Sequence, residues 1–343
     1  MKIGVIGLGS MGKRRVRDLK NLGCEVAGFD ISASRRSEAE KLLSIRALKS
    51  FDELQDSGIE AAVISTPPDV HAEYYERCFA ARLPFFSEAG VFTPKPEWFN
   101  EREKKSGVRG YASATWKHHP LFQLCRQIVQ SEELGAVHSV HYHYGGYLPS
   151  WHPWEDYTSY YAGRSKTAAA REMVPFELEW MTYVFGAIES VSAVTGQFAK
   201  WKADFPDSYY LHLRFESGLS GTLNIELHQT APFRQGVVSC ADGALKLDLI
   251  RHEIREYQLA ADSWKIRKMP GLRVLNSFNF EEIYFKEIES FVHALSGQVP
   301  YPKTWEEDRH LSDVLYASEV SAREGRRVRI AEVADQYSGT SWD

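Results

Sequence analysis

An α/β domain on a parallel sheet, followed by an α+β domain with a largely antiparallel open sheet, is predicted by three observations. Gly7, Gly9 and Gly12 spell G-x-G-x-x-G directly after an apolar run, Lys2 to Ile6. Further short apolar runs, at Glu25 to Phe29, Ala61 to Ser65 and Leu83 to Ser87, alternate with stretches of helical spacing, the βαβ rhythm. From Val137 onward the hydrophobic period falls to two.

The elements follow in order. After the first run, Met11, Val16, Leu19 and Leu22 share one helical face and Gly23 stands where a helix stops. Beyond Pro68, Ala72, Tyr75, Cys78 and Phe79 form the buried face of another helix against a parallel sheet. Leu121, Leu124, Cys125, Ile128 and Val129 predict a linking helix ending before Gly135. Val137 to Tyr144 alternates as a strand, and the Glu216, Ser217, Gly218 turn joins two more. Asp242-Gly243 between apolar runs signals a further hairpin. Late helices follow at Ile288, Phe291, Val292 and Leu295, and at Leu311, Val314, Leu315 and Ser318.

At 343 residues, two domains are expected, a Rossmann dinucleotide-binding domain at 1–118 and a substrate-binding and oligomerisation domain at 119–343. With 43% hydrophobic and 25% charged residues the composition is that of a globular protein. A net charge of -5 and a pI near 6.2 argue against a nucleic-acid or anionic-membrane partner, both of which need basic surface. Cys24, Cys78, Cys125 and Cys240 form no C-x-x-C pair, so neither a disulfide framework nor a thiolate zinc site is expected. Without a leader or an apolar run of membrane-spanning length, the expected location is cytoplasmic.

The glycines have a division of labour. Gly7 permits the tight turn, Gly9 lets backbone approach a pyrophosphate, Gly12 lets helix and strand pack closely, and Ser10 and Met11 complete the loop at a helix N-terminus. Asp30, at the end of the second strand, is placed to accept hydrogen bonds from the adenine-ribose hydroxyls of NAD and to repel a 2′-phosphate. Arg35 and Arg36 are the residues that would favour NADP, the less expected cofactor.

At Ser65, Thr66, Pro67, Pro68 and His71 the chain resembles the glucose-fructose oxidoreductase and inositol dehydrogenase (Gfo/Idh/MocA) family. The likeness spans nearly the whole length, and it implies that these residues and Glu88 border the nicotinamide half of the cofactor. In that family a later strand ends Glu-Lys-Pro, with a catalytic lysine. Here the strand ends Glu88, Ala89, Gly90, so alanine holds the lysine position. A family helix carrying Asp and, four residues on, His is matched by Ala168 to Phe176, where Glu172 replaces the aspartate and Phe176 the histidine. Oxidising an alcohol requires a base for the hydroxyl proton, which neither alanine nor phenylalanine supplies. Three readings stay open: another residue is the base, a different reaction is catalysed, or the protein is a catalytically silent dinucleotide-binding sensor or partner.

Lys117 and Glu172 are the candidate proton-handling residues, the first in the segment linking the domains, the second a carboxylate whose pKa an enclosed pocket would raise. Lys95, His118 and His119 are weaker candidates. Trp151, His152, Arg171, Glu172 and Phe176 are the candidate substrate contacts. The stretch from Tyr147 through Trp154 and Tyr157 to Tyr161 reads as an aromatic loop over a pocket for a sugar or nucleotide-sugar, or else as packing under a loop or in a subunit contact. His141 and His143 share a strand face but lack further ligands, and no metal is expected. The resemblance implies a homodimer or homotetramer.

Overall fold

The computed structural model describes residues 1–268 and 281–336. Its first part runs β1 (Lys2–Ile6), α1 (Ser10–Asn21), β2 (Glu25–Phe29), α2 (Ala33–Leu43), β3 (Arg46–Leu48), α3 (Phe51–Asp56), β4 (Ala61–Ile64), α4 (His71–Ala80), β5 (Phe85–Ser87), α5 (Pro96–Ser106) and β6 (Gly110–Ala112). All neighbouring strands are parallel, in the order β3-β2-β1-β4-β5-β6. This is the doubly wound Rossmann order. β4 is buried along its whole length, as a strand covered by helices on both faces must be. Local signals set the helix ends: Ser32 and Ser50 cap α2 and α3 through their hydroxyls, and Gly23, at φ +78°, follows α1.

A single turn at Thr115–His118 leads into α6 (Pro120–Ser131), with proline at its first position and the His119 side chain as cap. Then come β7 (Val137–Tyr147), α7 (Ala169–Phe185), β8 (Ile188–Gly196), β9 (Ser208–Phe215), β10 (Ser220–Glu226), β11 (His228–Cys240), β12 (Gly243–Asp248), β13 (Glu253–Gln258) and β14 (Ser263–Lys268). After α8 (Glu281–Leu295) follow α9 (Trp305–Glu324), β15 (Val328–Arg329) and α10 (Ile330–Val333). The second sheet has nine strands, ordered β14-β13-β12-β11-β7-β10-β9-β8-β15. Only β7 and β10 pair in parallel among its described strands, so the expected antiparallel character is present. Both expected hairpins form, at Glu216–Gly218 and around Asp242.

One face of this sheet carries α6, α7 and α9 over a core that includes Phe122, Trp180, Tyr209, Leu223 and Leu315. The other face presents His141, His143, Thr222, Asn224, Gln235 and Lys246 along an open groove of about 540 Å³.

The cut at residue 118 separates the sheets but not the layers they belong to. Ile288 and Phe291 of α8 pack with Ile3, Val5, Val63 and Phe86 of the first sheet. Trp305, at the start of α9, stacks on Phe99 of α5 at 3.7 Å between ring centroids. Residues late in the chain therefore complete the first domain.

Candidate functional site

The carboxyl edge of the first sheet gathers every residue expected to hold the dinucleotide. Gly7 has φ +90°, and a Cβ there would meet the Ser65 carbonyl oxygen at 2.6 Å. A Cβ on Gly12 would overlap the Gly7 carbonyl, which is how closely α1 rests on its loop. At Gly9 an added Cβ would meet nothing within 4 Å. That open space lies at the cap of α1, before Ser10 and Met11, where backbone N–H groups have no partner within the helix.

Asp30 is buried at the end of β2, where Oδ2 accepts from the Leu8 amide at 2.8 Å and Oδ1 from the Ser32 amide at 2.8 Å. Arg35 approaches Oδ2 at 3.9 Å, and Arg36 donates to the Asp30 and Ile31 carbonyls. Beyond β4, Pro67 opens a short 3-10 turn and the Thr66 carbonyl faces the His71 Nε2 at 2.9 Å. Burial lowers the His71 pKa. The Thr66 hydroxyl is buried with no hydrogen-bond partner among the described residues. A loop with open space at Gly9, an acid at the end of β2 and an orphaned hydroxyl after β4 fit an NAD molecule laid across the edge.

The residues at the nicotinamide end were only partly foreseen. Glu88 is held by Arg15 of α1, with Nε to Oε1 at 2.7 Å and Nη2 to Oε2 at 2.9 Å, and by the Ser65 hydroxyl at 3.1 Å. The same guanidinium reaches Glu287 of α8 at 2.5 Å and the Tyr284 carbonyl at 2.8 Å. Glu287 in turn accepts from the Ser113 and Thr115 hydroxyls and the Ala114 amide. Burial would raise its pKa, but Arg15 and these donors bring it below the usual carboxylate range.

Glu172 lies in the first turn of α7, partly buried as a residue but with its Oε2 out of contact with solvent. Burial pushes its pKa to about 7, a hydrogen bond from the Tyr161 hydroxyl opposes the rise, and the facing Glu88 carboxylate adds to it. Its Oε2 has no hydrogen-bond partner among the described residues. Pro175 inside α7 has no N–H to offer the Arg171 carbonyl one turn back, which loosens the helix near this carboxyl.

Lys117, the other proton-handling candidate, is a correction. Its ammonium is bound by the Pro302 carbonyl at 2.8 Å and Glu307 at 2.7 Å, and it lies over the ring of Tyr183. Tyr183 stands eleven residues beyond Glu172 on α7, about 16 Å along the helix. Burial lowers the Lys117 pKa, with Glu307 opposing, yet the group serves the junction with α9. Arg171 engages Glu319 at 2.7 Å and the Lys166 carbonyl, and its guanidinium lies over the ring of Phe92. Lys95 pairs with Asp335 on the surface.

His152 bonds Glu155 at 2.7 Å and lies against Trp154 and Tyr160, so it belongs to the aromatic loop and is partly exposed there. Trp151 packs on the second core, as does Tyr157, whose ring meets Trp201 and Phe205. The loop is thus in part the underside of its own fold. Phe176 packs on Trp116 at 4.9 Å and, with Ala89 and Gly90, borders a small cavity that Lys303 also lines. Lys303 occupies volume near the two altered positions, but its ammonium is engaged by Asp308 at 2.7 Å, Glu179 at 3.1 Å and the Ser113 carbonyl at 2.7 Å. Burial alone would lower its pKa; those carboxylates raise it instead, which suits a structural cation and not a base. No group of three or more potential metal ligands occurs among the described residues.

Residues 1–100 match the model of an oxidoreductase family with an NAD-binding Rossmann fold, and residues 122–246 match the Gfo/Idh/MocA C-terminal domain. A myo-inositol 2-dehydrogenase of Thermotoga maritima is 25% identical over 97% of this chain and 99% of its own. Among solved structures, an oxidoreductase of Agrobacterium radiobacter in complex with NAD+, L-tartaric acid and magnesium superposes with a TM-score of 0.83 at 14% identity, covering 97% and 99% of the two chains. A levoglucosan dehydrogenase in complex with NADH and levoglucosan gives 0.79 at 15% identity, covering 96% and 99%. Both share this fold.

Proposed function

The chain belongs to the Gfo/Idh/MocA family and is an NAD-binding oxidoreductase acting on CH–OH groups, and from that premise we propose that Glu172 is the base that takes the hydroxyl proton of a carbohydrate substrate. One observation carries this reading: a Glu172 carboxyl oxygen that is buried and without a hydrogen-bond partner among the described residues. Asp30, the glycine loop, Thr66 and Glu88 are the residues that would hold NAD, which supplies the acceptor for the hydride.

The residues of the chain then divide the work. A pKa of about 7 lets Glu172 exist as carboxylate and as acid near neutrality, so it can take the proton and return it in the reverse direction. Tyr161 donates to the ionised form and fixes the carboxyl group's orientation. The position is one that the family fills with aspartate, and the glutamate carries its carboxylate one methylene farther from the backbone. The substrate proposed is a sugar or cyclic polyol, since the relative and the structural neighbour are named for inositol and levoglucosan. A nucleotide-sugar is the finer alternative, with Arg164 and Lys166, both exposed, beside the loop to meet a diphosphate.

NADH formation from NAD with a panel of inositols, hexoses and anhydrosugars tests the proposal. Activity in the native chain that Glu172→Gln removes supports it; activity that survives the substitution overturns it. NAD binding without hydride exchange across the panel would favour the silent dinucleotide-binding reading instead. The open face of the second sheet, mixed in charge through Lys246, Asp248, Arg251 and Arg255, is proposed to pair with a second copy of the chain, which light scattering would show as a dimer or tetramer. No described helix is long and apolar enough to cross a membrane.

A further inference from the structure

His71 opens α4, and only 1% of its surface is exposed. The resemblance places it beside the cofactor, yet both of its ring nitrogens are turned to the protein. Nε2 lies 2.9 Å from the carbonyl of Thr66, two residues past the end of β4. A carbonyl oxygen can only accept, so Nε2 carries the proton and Nδ1 is left as the acceptor. Nδ1 faces the hydroxyl of Ser87, the last residue of β5, at 3.3 Å, and that hydroxyl is 2.8 Å from the Tyr75 hydroxyl of α4. With Tyr75 donating to Ser87, the Ser87 proton has two acceptors in reach, His71 Nδ1 and the Glu88 carbonyl at 3.2 Å. The ring also takes the room of a side chain at Gly90, where a Cβ would come within 3.3 Å of Nδ1. One imidazole thus braces the ends of two paired parallel strands, β4 and β5.

The strand order reverses between β1 and β4, and a dinucleotide crosses the carboxyl edge of such a sheet at that point. With Asp30 of β2 on the adenosine side and the glycine loop after β1 at the diphosphate, the ends of β4 and β5 are left for the nicotinamide side. There the Thr66 hydroxyl is out of contact with solvent and has no hydrogen-bond partner among the described residues. A buried hydroxyl in that state is unfavourable until a ligand completes it. We infer that His71 is a positioning residue for the nicotinamide half of NAD: by holding the Thr66 carbonyl it fixes the backbone that aims the Thr66 hydroxyl at the cofactor. The imidazole itself touches no part of the cofactor. This holds whichever group takes the substrate proton, so it does not depend on Glu172.

The test compares NADH with ADP, which has the adenosine diphosphate but no nicotinamide half. Dissociation constants for both are measured on the full chain by calorimetry, with melting temperatures alongside. His71→Leu removes both ring bonds and should weaken NADH by about fivefold or more while leaving ADP within about twofold of native. His71→Gln returns an amide donor near the place of Nε2 and should recover most of the lost NADH affinity. Thr66→Val removes the hydroxyl and should weaken NADH but not ADP. In the Thr66→Val background, His71→Leu should cost NADH less than about twofold more, because the group it serves is already gone.

Equal weakening of NADH and ADP in His71→Leu would mean a general loosening of the sheet edge and would overturn the inference. So would native NADH affinity in His71→Leu or in Thr66→Val, or an undiminished effect of His71→Leu when Thr66 is already valine. If His71→Leu fails to fold, His71→Asn decides. It keeps an acceptor for Ser87 but cannot reach the Thr66 carbonyl, so it should show the split between NADH and ADP that His71→Gln lacks. The same affinities in the Asn and Gln variants would sink the idea.

Discussion

Leu8 and Asp30 are joined by a 2.8 Å hydrogen bond from the backbone amide of one to the carboxylate of the other, so the glycine loop and the acid of the neighbouring strand form one unit. Asp30→Ala should therefore weaken NADH at least tenfold, through the lost ribose contact and a loosened loop together. Asp30→Asn keeps an acceptor for Leu8 but drops the charge, so it should retain more NADH affinity and admit NADPH. Fluorescence titration with both cofactors checks this, and unchanged discrimination in both variants would refute it.

Gly9 and Gly12 should separate binding from folding. Gly9 has φ -70° and open space where a Cβ would stand, so Gly9→Val should leave the melting temperature nearly unchanged while reducing NADH affinity more than tenfold. Gly12→Ala drives a methyl into the Gly7 carbonyl and should lower the melting temperature as well. Paired thermal and titration measurements distinguish the two.

The pH dependence of oxidation follows from Glu172. Only its ionised form accepts a proton, so kcat/KM should rise with pH through about 7, and sugar reduction should show the opposite limb. Glu172→Gln should cost about 10²- to 10⁴-fold in rate. A pH-rate profile without an ionisation near 7 would contradict the assignment.

The same group should lower stability at alkaline pH. A folded pKa raised from 4.5 to about 7 means that the folded state binds the extra proton between those values, so stability falls as pH rises through that window and stays lower above it. The rise corresponds to about 3 kcal/mol. Glu172→Gln should therefore gain stability over the native chain at pH 8 relative to pH 4, as measured by urea melts at the two pH values.

Lys117→Met should behave differently. It leaves the Pro302 carbonyl and Glu307 without their buried donor, a loss of about 1–3 kcal/mol, but should not move the pH-rate profile. A displaced limb would return Lys117 to the chemistry.

Much of this was legible in the sequence because it is local. The glycine loop and Asp30 lie within thirty residues, and their roles follow from backbone geometry and spacing. Strands β3 and β6 passed unnoticed because three-residue edge strands carry too few positions to show a period. Glu172 was legible through a family pattern, whereas its pKa depends on burial, a hydrogen bond from Tyr161 and the charge of Glu88, which no spacing reveals. Arg15 was missed for a related reason, since its partner Glu287 lies 272 residues away and an arginine on a helix start reads as surface. Lys117 was misjudged for the same cause, its partners lying 185 and 190 residues along the chain.

The return of α8 to the first sheet also governs how the protein can be divided. A fragment ending at residue 118 would leave the faces of Ile3, Val5, Val63 and Phe86 that Ile288 and Phe291 cover in contact with water, and Arg15 without Glu287. A stand-alone cofactor module must therefore be spliced from two stretches of the gene. A recombinant exchange of substrate domains among relatives would keep its nucleotide end intact only if the recipient's own α8 travelled with its first hundred residues.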